Sequence, residues 1–131
     1  MGEDSAFELV LWSTDVSRLA AFLQAVAGVD VLEHHPGYAV LAVGGARVLI
    51  HADESYRGHP WHDALHREGA ARGIGAELRL RVSDVATRWA RALRMGGLAV
   101  QPPYDDAGVR ECQVMGPDGF LLCLWEPAPG G

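Results

Sequence analysis

Glu8-Leu9-Val10-Leu11-Trp12-Ser13-Thr14-Asp15-Val16 and Glu77-Leu78-Arg79-Leu80-Arg81-Val82-Ser83-Asp84-Val85 are two versions of one pattern. Glu, Leu, Leu, Asp and Val coincide at an offset of 69 residues, from 8 to 77, and Thr14 meets Ser83. The same offset carries Ala21 onto Ala90, Gly28 onto Gly97 and Val31 onto Val100 without a gap. A chain that repeats at a fixed period is built from copies of one supersecondary unit.

Each copy opens with an alternating strand: Phe7, Leu9 and Leu11 on one face, then Leu78, Leu80 and Val82. Period-2 alternation buries one face of a sheet. Asp15 and Asp84 follow where a helix N-cap is needed, since their carboxylates accept from free backbone N–H groups. The helices carry Val16, Leu19, Ala20, Leu23 and Val26, and Val85, Trp89, Ala92 and Leu93, at the spacing of an amphipathic stripe. Gly28 and Gly96-Gly97 end them. Strands are predicted over 30–35, 38–43 and 47–52, and again over 98–101, 109–115 and 120–125. Pro36-Gly37, Gly44-Gly45, Pro102-Pro103 and Gly116-Pro117-Asp118-Gly119 punctuate them. The expectation is one α+β domain over 1–131. It holds a βαβββ module at 7–52, a connector at 53–75, a second module at 76–126 and a frayed tail from Pro127 to Gly131.

The connector is long for a compact domain. It contains Tyr56, His59-Pro60-Trp61-His62 and His66, then Gly69, Gly73 and Gly75. Pro60 suits a first helical position, so 59–68 is predicted as one short helix. His62 and His66 stand four apart, but residue 63 is Asp where the zinc-binding helix motif has Glu, and the pair reads as a solvated helical turn.

The 131 residues include eleven basic and seventeen acidic side chains, for a net charge of −6. Such a chain lacks the basic footprint that nucleic acid requires and any polybasic segment for an anionic membrane. No Lys is present, which excludes Schiff-base chemistry and a phosphate-loop lysine. Cys112 and Cys123, the two cysteines, read as reduced core thiols. The acidic start Met1-Gly2-Glu3-Asp4-Ser5 shows no apolar leader, and a cytoplasmic location is the expectation.

Two tandem βαβββ units, an Asp after each first strand and Gly116-Pro117-Asp118-Gly119-Phe120-Leu121-Leu122-Cys123-Leu124-Trp125 before the end resemble the vicinal oxygen chelate superfamily. This is the glyoxalase, bleomycin-resistance and extradiol-dioxygenase group. The resemblance covers nearly all of residues 7–126. It implies a half-open eight-strand cup completed in a homodimer, with a ligand held on the strand faces opposite the helices. Strand parity then nominates Glu8, Val10 and Trp12, Glu77, Arg79 and Arg81, and Leu121, Cys123 and Trp125 as cup-facing.

Metal-dependent members take one ligand from the first and last strand of each unit. The resemblance places these positions at Glu8, at Ile50 or His51, at Glu77 and at Cys123. A thiol is unusual beside hard oxygen ligands, so no metal and no other cofactor is expected. What remains is a cup with aromatic walls: Trp12, Tyr38 and Trp125 from strands, Tyr56 and Trp61 from the connector, and Tyr104 from the loop before Val109. Val10, His51, His62 and Cys123 complete the lining, with Glu8, Glu77 and Arg79 as polar contacts. Trp89 lies on a helix stripe and reads as core. The pattern is most like the metal-free antibiotic-binding members. Its implied role is stoichiometric capture of an aromatic small-molecule antibiotic, bleomycin-like or enediyne. The alternative is a divalent-metal lyase, epimerase or dioxygenase.

Overall fold

A computed structural model describes residues 5–129. The expectations on the acidic start before Ser5 and on the last two glycines fall outside that range. The elements run β1 (Glu8–Ser13), α1 (Val16–Ala27), β2 (Asp30–His35), β3 (Tyr38–Val43) and β4 (Ala46–Ala52). A short 3-10 turn (Asp53–Tyr56) and α2 (Pro60–His66) follow, then β5 (Glu77–Arg81), α3 (Val85–Arg94), β6 (Leu98–Asp106), β7 (Val109–Met115) and β8 (Leu121–Pro127).

The eight strands divide into two sheets of four, ordered β1-β4-β3-β2 and β5-β8-β7-β6. In each, the first strand runs parallel to the last, and the other pairings are antiparallel. The repeat in sequence is therefore a repeat in topology.

Asp15 caps α1 by accepting from the Arg18 amide, and Gly28 ends the helix at φ +70°, a left-handed conformation that costs glycine little. Asp84 caps α3 in the same way, accepting from Thr87 N. One continuous core then forms from α1, the helix-facing rows of both sheets, and Val85 and Ala92 of α3. Phe22, fully buried on α1, reaches across the module boundary to Gly97 and Gly116. A Cβ on Gly97 would lie 2.8 Å from Val114 and 2.9 Å from the Ala92 carbonyl, so glycine is required there by space rather than by φ. Burying a side chain such as Phe22 contributes about 1.5–3 kcal/mol.

Asp118, in the turn before β8, ties the modules together. Its carboxylate accepts from Ser13 Oγ (2.6 Å), Thr14 Oγ1 (2.6 Å) and Thr14 N (3.1 Å). Asp118 also holds φ +64°, outside the region most side chains adopt.

Several expectations need correction. Phe7 precedes β1 and is 62% exposed, so the apolar row begins at Leu9. The strand predicted to stop at Gln101 continues through Pro102-Pro103 to Asp106, with register shifts on both sides of Gln101. β6 is an edge strand, where a missing N–H costs no ladder bond. Tyr104 therefore sits in a strand, not a loop. Pro127 is paired with Val109 rather than frayed. The connector helix is shorter than predicted, ending at His66.

Candidate functional site

Alternation along β1 sends Leu11 into the core and Trp12 to the opposite face. Trp12 stands in register with His51 of β4, which in turn faces Tyr38 of β3. The 3-10 turn after β4 brings Tyr56 back over this row. Its ring lies on Trp12 at 3.5 Å between centroids and 20° between planes. The Tyr56 hydroxyl and His51 Nδ1 are hydrogen-bonded at 2.7 Å. His59 meets Trp12 edge-on at 5.2 Å, and Trp61 lies 5.7 Å from it at 51°.

The connector is held on this face by a buried ion pair that no periodic pattern announces. Asp53 is 2% exposed. It takes two hydrogen bonds from Arg72, both 2.9 Å, and one contact with His66 Nε2 at 2.8 Å. Arg72 also donates to the Trp12 carbonyl at 3.1 Å. Burial alone would push the Asp53 carboxyl up; Arg72 and His66 override it and hold it below the ordinary carboxylate value.

Between connector and sheet lies a cavity of about 360 Å³, with Val10, Trp12, Trp61, Leu65, Ile74 and Phe120 in its wall. Arg72 is the one charged residue lining it, and its guanidinium is engaged by Asp53. Trp61 is 64% exposed and Ile74 is 81% exposed. An exposed indole beside an apolar hollow can hold a flat ring by stacking, at about 0.5–1.5 kcal/mol beyond area burial.

The second sheet carries a different face. Arg79 donates to Glu111 (3.2 Å) and to Cys123 Sγ (3.2 Å), Gln113 donates to Glu77 (2.8 Å), and the Tyr104 hydroxyl donates to Glu111 (3.0 Å). Arg79 and Arg81 lie 5.8 and 5.4 Å from the Trp125 ring. The bond to Glu111 strengthens the hold of Arg79 on its proton. Burial, with Glu111 adding to it, raises the Cys123 thiol above its ordinary value against the pull of Arg79.

The nominated residues thus fall into two groups. Val10, Trp12, Tyr38, His51, Tyr56 and Trp61 gather on or over the first sheet. Glu77, Arg79, Tyr104, Cys123 and Trp125 gather on the second. Among the described residues no hydrogen bond or ring contact joins the groups. Glu8 is opposite Arg47 in the first sheet, and His62 stacks on His66 in α2. Asp53, Leu65, Arg72, Ile74 and Phe120 were not among the nominated residues. Only hydrophobicity marked Leu65 and Ile74, Phe120 stood in the motif before the last strand without a site role, and nothing in spacing marked Asp53 with Arg72.

The four positions that the resemblance assigns to a metal do not suit one. Ile50 is fully buried on the core side, and His51 is bonded to Tyr56. A resident cation, Arg79, already stands between Cys123 and Glu111. Glu77 is taken by an amide. Among the described residues no three His, Cys, Asp or Glu side chains cluster as a metal centre would require.

No family model matches the sequence, and no curated protein is similar to it. Solved structures are similar to it in fold. A glyoxalase/bleomycin resistance protein/dioxygenase family enzyme from Burkholderia phytofirmans PsJN superposes with a TM-score of 0.74 at 19% identity, over 92% of this chain and 97% of that one. A glyoxalase-related enzyme from Fulvimarina pelagi gives 0.72 at 16% identity, over 93% and 87%. TioX from Micromonospora sp. ML1 gives 0.64 at 24% identity, over 93% and 98%. The chain therefore has the fold of glyoxalase/bleomycin resistance/dioxygenase proteins.

Proposed function

We propose that this protein binds a flat aromatic natural product of the bleomycin or enediyne type and protects by stoichiometric capture, without turnover. The observation that carries this reading is the pair of indoles, Trp12 and Trp61, walling an apolar cavity of about 360 Å³. Sites of this kind take most of their affinity from aromatic and aliphatic burial, with few polar groups. A glycopeptide is larger than this cavity, so the site takes the planar part and leaves the rest outside. Useful capture of a toxin needs a Kd near nanomolar, about −12 kcal/mol.

The reading includes a homodimer. Exposed Phe7, Leu98 and Val100 supply apolar surface that a second copy would cover. Titrating the protein with a panel of aromatic DNA-damaging antibiotics, followed by tryptophan fluorescence, tests the binding claim. Saturation at one ligand per chain and recovery of unchanged compound are expected. Chemically altered compound would contradict capture without turnover.

A further inference from the structure

We infer that Asp53 sets the charge specificity of the cavity: by neutralising Arg72 it makes the site prefer an uncharged flat ring bearing a carbonyl or amide oxygen and reject an anionic one. The inference rests on the aromatic-guest reading above and names the class of guest that the same cavity takes.

Arg72 is the one charged residue in the cavity wall, and every other lining residue is apolar or glycine. A guanidinium left free beside two indoles would recruit a carboxylate, sulfonate or phosphate, because its planar fork matches those groups. Here the chain supplies the carboxylate itself. The two Asp53 oxygens accept from Arg72 Nη1 and Nη2, each at 2.9 Å, and the two side chains are only 3% and 14% exposed. His66 takes up the same carboxylate at 2.8 Å. Arg72 and His66 together keep Asp53 ionised at neutral pH. An incoming anion would have to displace this buried partner, or lose its hydration beside an arginine whose charge is already cancelled.

The guanidinium still has donors to offer. Of its five N–H groups, two reach Asp53 and a third reaches the Trp12 carbonyl. Nε has no partner among the described residues, yet it is not sealed off: Arg47 Nε is the buried side-chain atom left without one. An accessible donor on a neutralised pair suits a neutral acceptor, such as a ring carbonyl or an amide oxygen, since no charge is buried when it binds. Any charged part of a larger guest stays outside the cavity.

A matched pair of three-ring probes, fluorenone carboxamide and fluorenone carboxylate substituted at the same ring position, tests this by calorimetry on the full chain. The wild type should bind the carboxamide at least about tenfold more tightly. Asp53→Asn keeps the side-chain shape and releases the Arg72 charge, so it should shift the ratio toward the carboxylate by about tenfold or more. A purely structural loss would weaken both probes and leave their ratio unchanged, which would overturn the inference. Equal binding of the two probes by wild type would overturn it as well. Should Asp53→Asn not fold, the salt dependence of the wild type decides: carboxylate affinity that falls as salt rises would show Arg72 acting as a free cation and would contradict the inference, whereas no fall is expected. Failure of both probes to bind would instead contradict the aromatic-guest reading on which the inference stands.

Discussion

Tyr56 lies flat on Trp12, with ring centroids 3.5 Å apart, and the same tyrosine is hydrogen-bonded to His51 at 2.7 Å. A residue of the connector thus covers the central indole of the first sheet and is anchored to the strand beside it. The connector is consequently packed on the first sheet, and its Trp61, Leu65 and Ile74 line the candidate cavity.

Tyr56→Phe keeps the ring stack and removes one hydrogen bond, so it should cost about 0.5–1.5 kcal/mol in denaturant unfolding. Tyr56→Ala removes the stack as well. Trp12, 8% exposed in the native protein, should then show red-shifted emission. An unchanged spectrum would mean that Tyr56 does not cover it.

Arg72→Ala leaves the Asp53 carboxylate buried without its main partner and should destabilise by about 3–5 kcal/mol. The pH dependence follows from the depressed Asp53 pKa. An ionised carboxylate stabilised in the fold contributes fully above its unfolded pKa. That contribution is lost as pH falls through the lower folded value. The gap in Tm between wild type and Arg72→Ala should therefore be widest near neutral pH. It should shrink on acidification below about 4, the ordinary carboxylate value. A gap independent of pH would contradict the ion pair.

Burial pushes the Cys112 thiol up to about 11 and raises Cys123 as well. Both are free thiols. Thiolate is the reactive form, so native protein at pH 8 should react with a disulfide reagent far more slowly than protein in guanidinium, where two thiols per chain become available. Fast labelling of the native state would show that the core opens readily.

Gly97→Ala drives a methyl into Val114 and the Ala92 carbonyl. Overpacking of this kind costs about 1–3 kcal/mol. Gly37→Ala, where nothing lies within 4 Å of the added Cβ, is the control and should change unfolding little.

The fold was legible because both modules announce themselves by period: two for β1 and β5, 3.6 for α1 and α3. The gapless offset made each half support the other. β6 was cut short because Pro102-Pro103 reads as a break, and only its edge position in the sheet shows why prolines are tolerated. The aromatic half of the site was readable from Trp12, Tyr56 and Trp61 as residue types. Their convergence was not, because Asp53 and Arg72 lie 19 residues apart in a segment without periodicity. The division of the polar and aromatic faces between two sheets was likewise invisible, since parity tells which side of a strand a residue occupies and not which sheets meet.

The central claim is that an aromatic guest is gripped by the exposed indole of Trp61 at the cavity. Its most direct test is the Kd of wild type and Trp61→Ala for one ligand identified by the fluorescence panel, measured by calorimetry alongside denaturant unfolding of both proteins. Trp61 is largely exposed, so the variant should unfold like wild type and bind about 1–3 kcal/mol more weakly. Equal affinity in the two proteins would contradict the account.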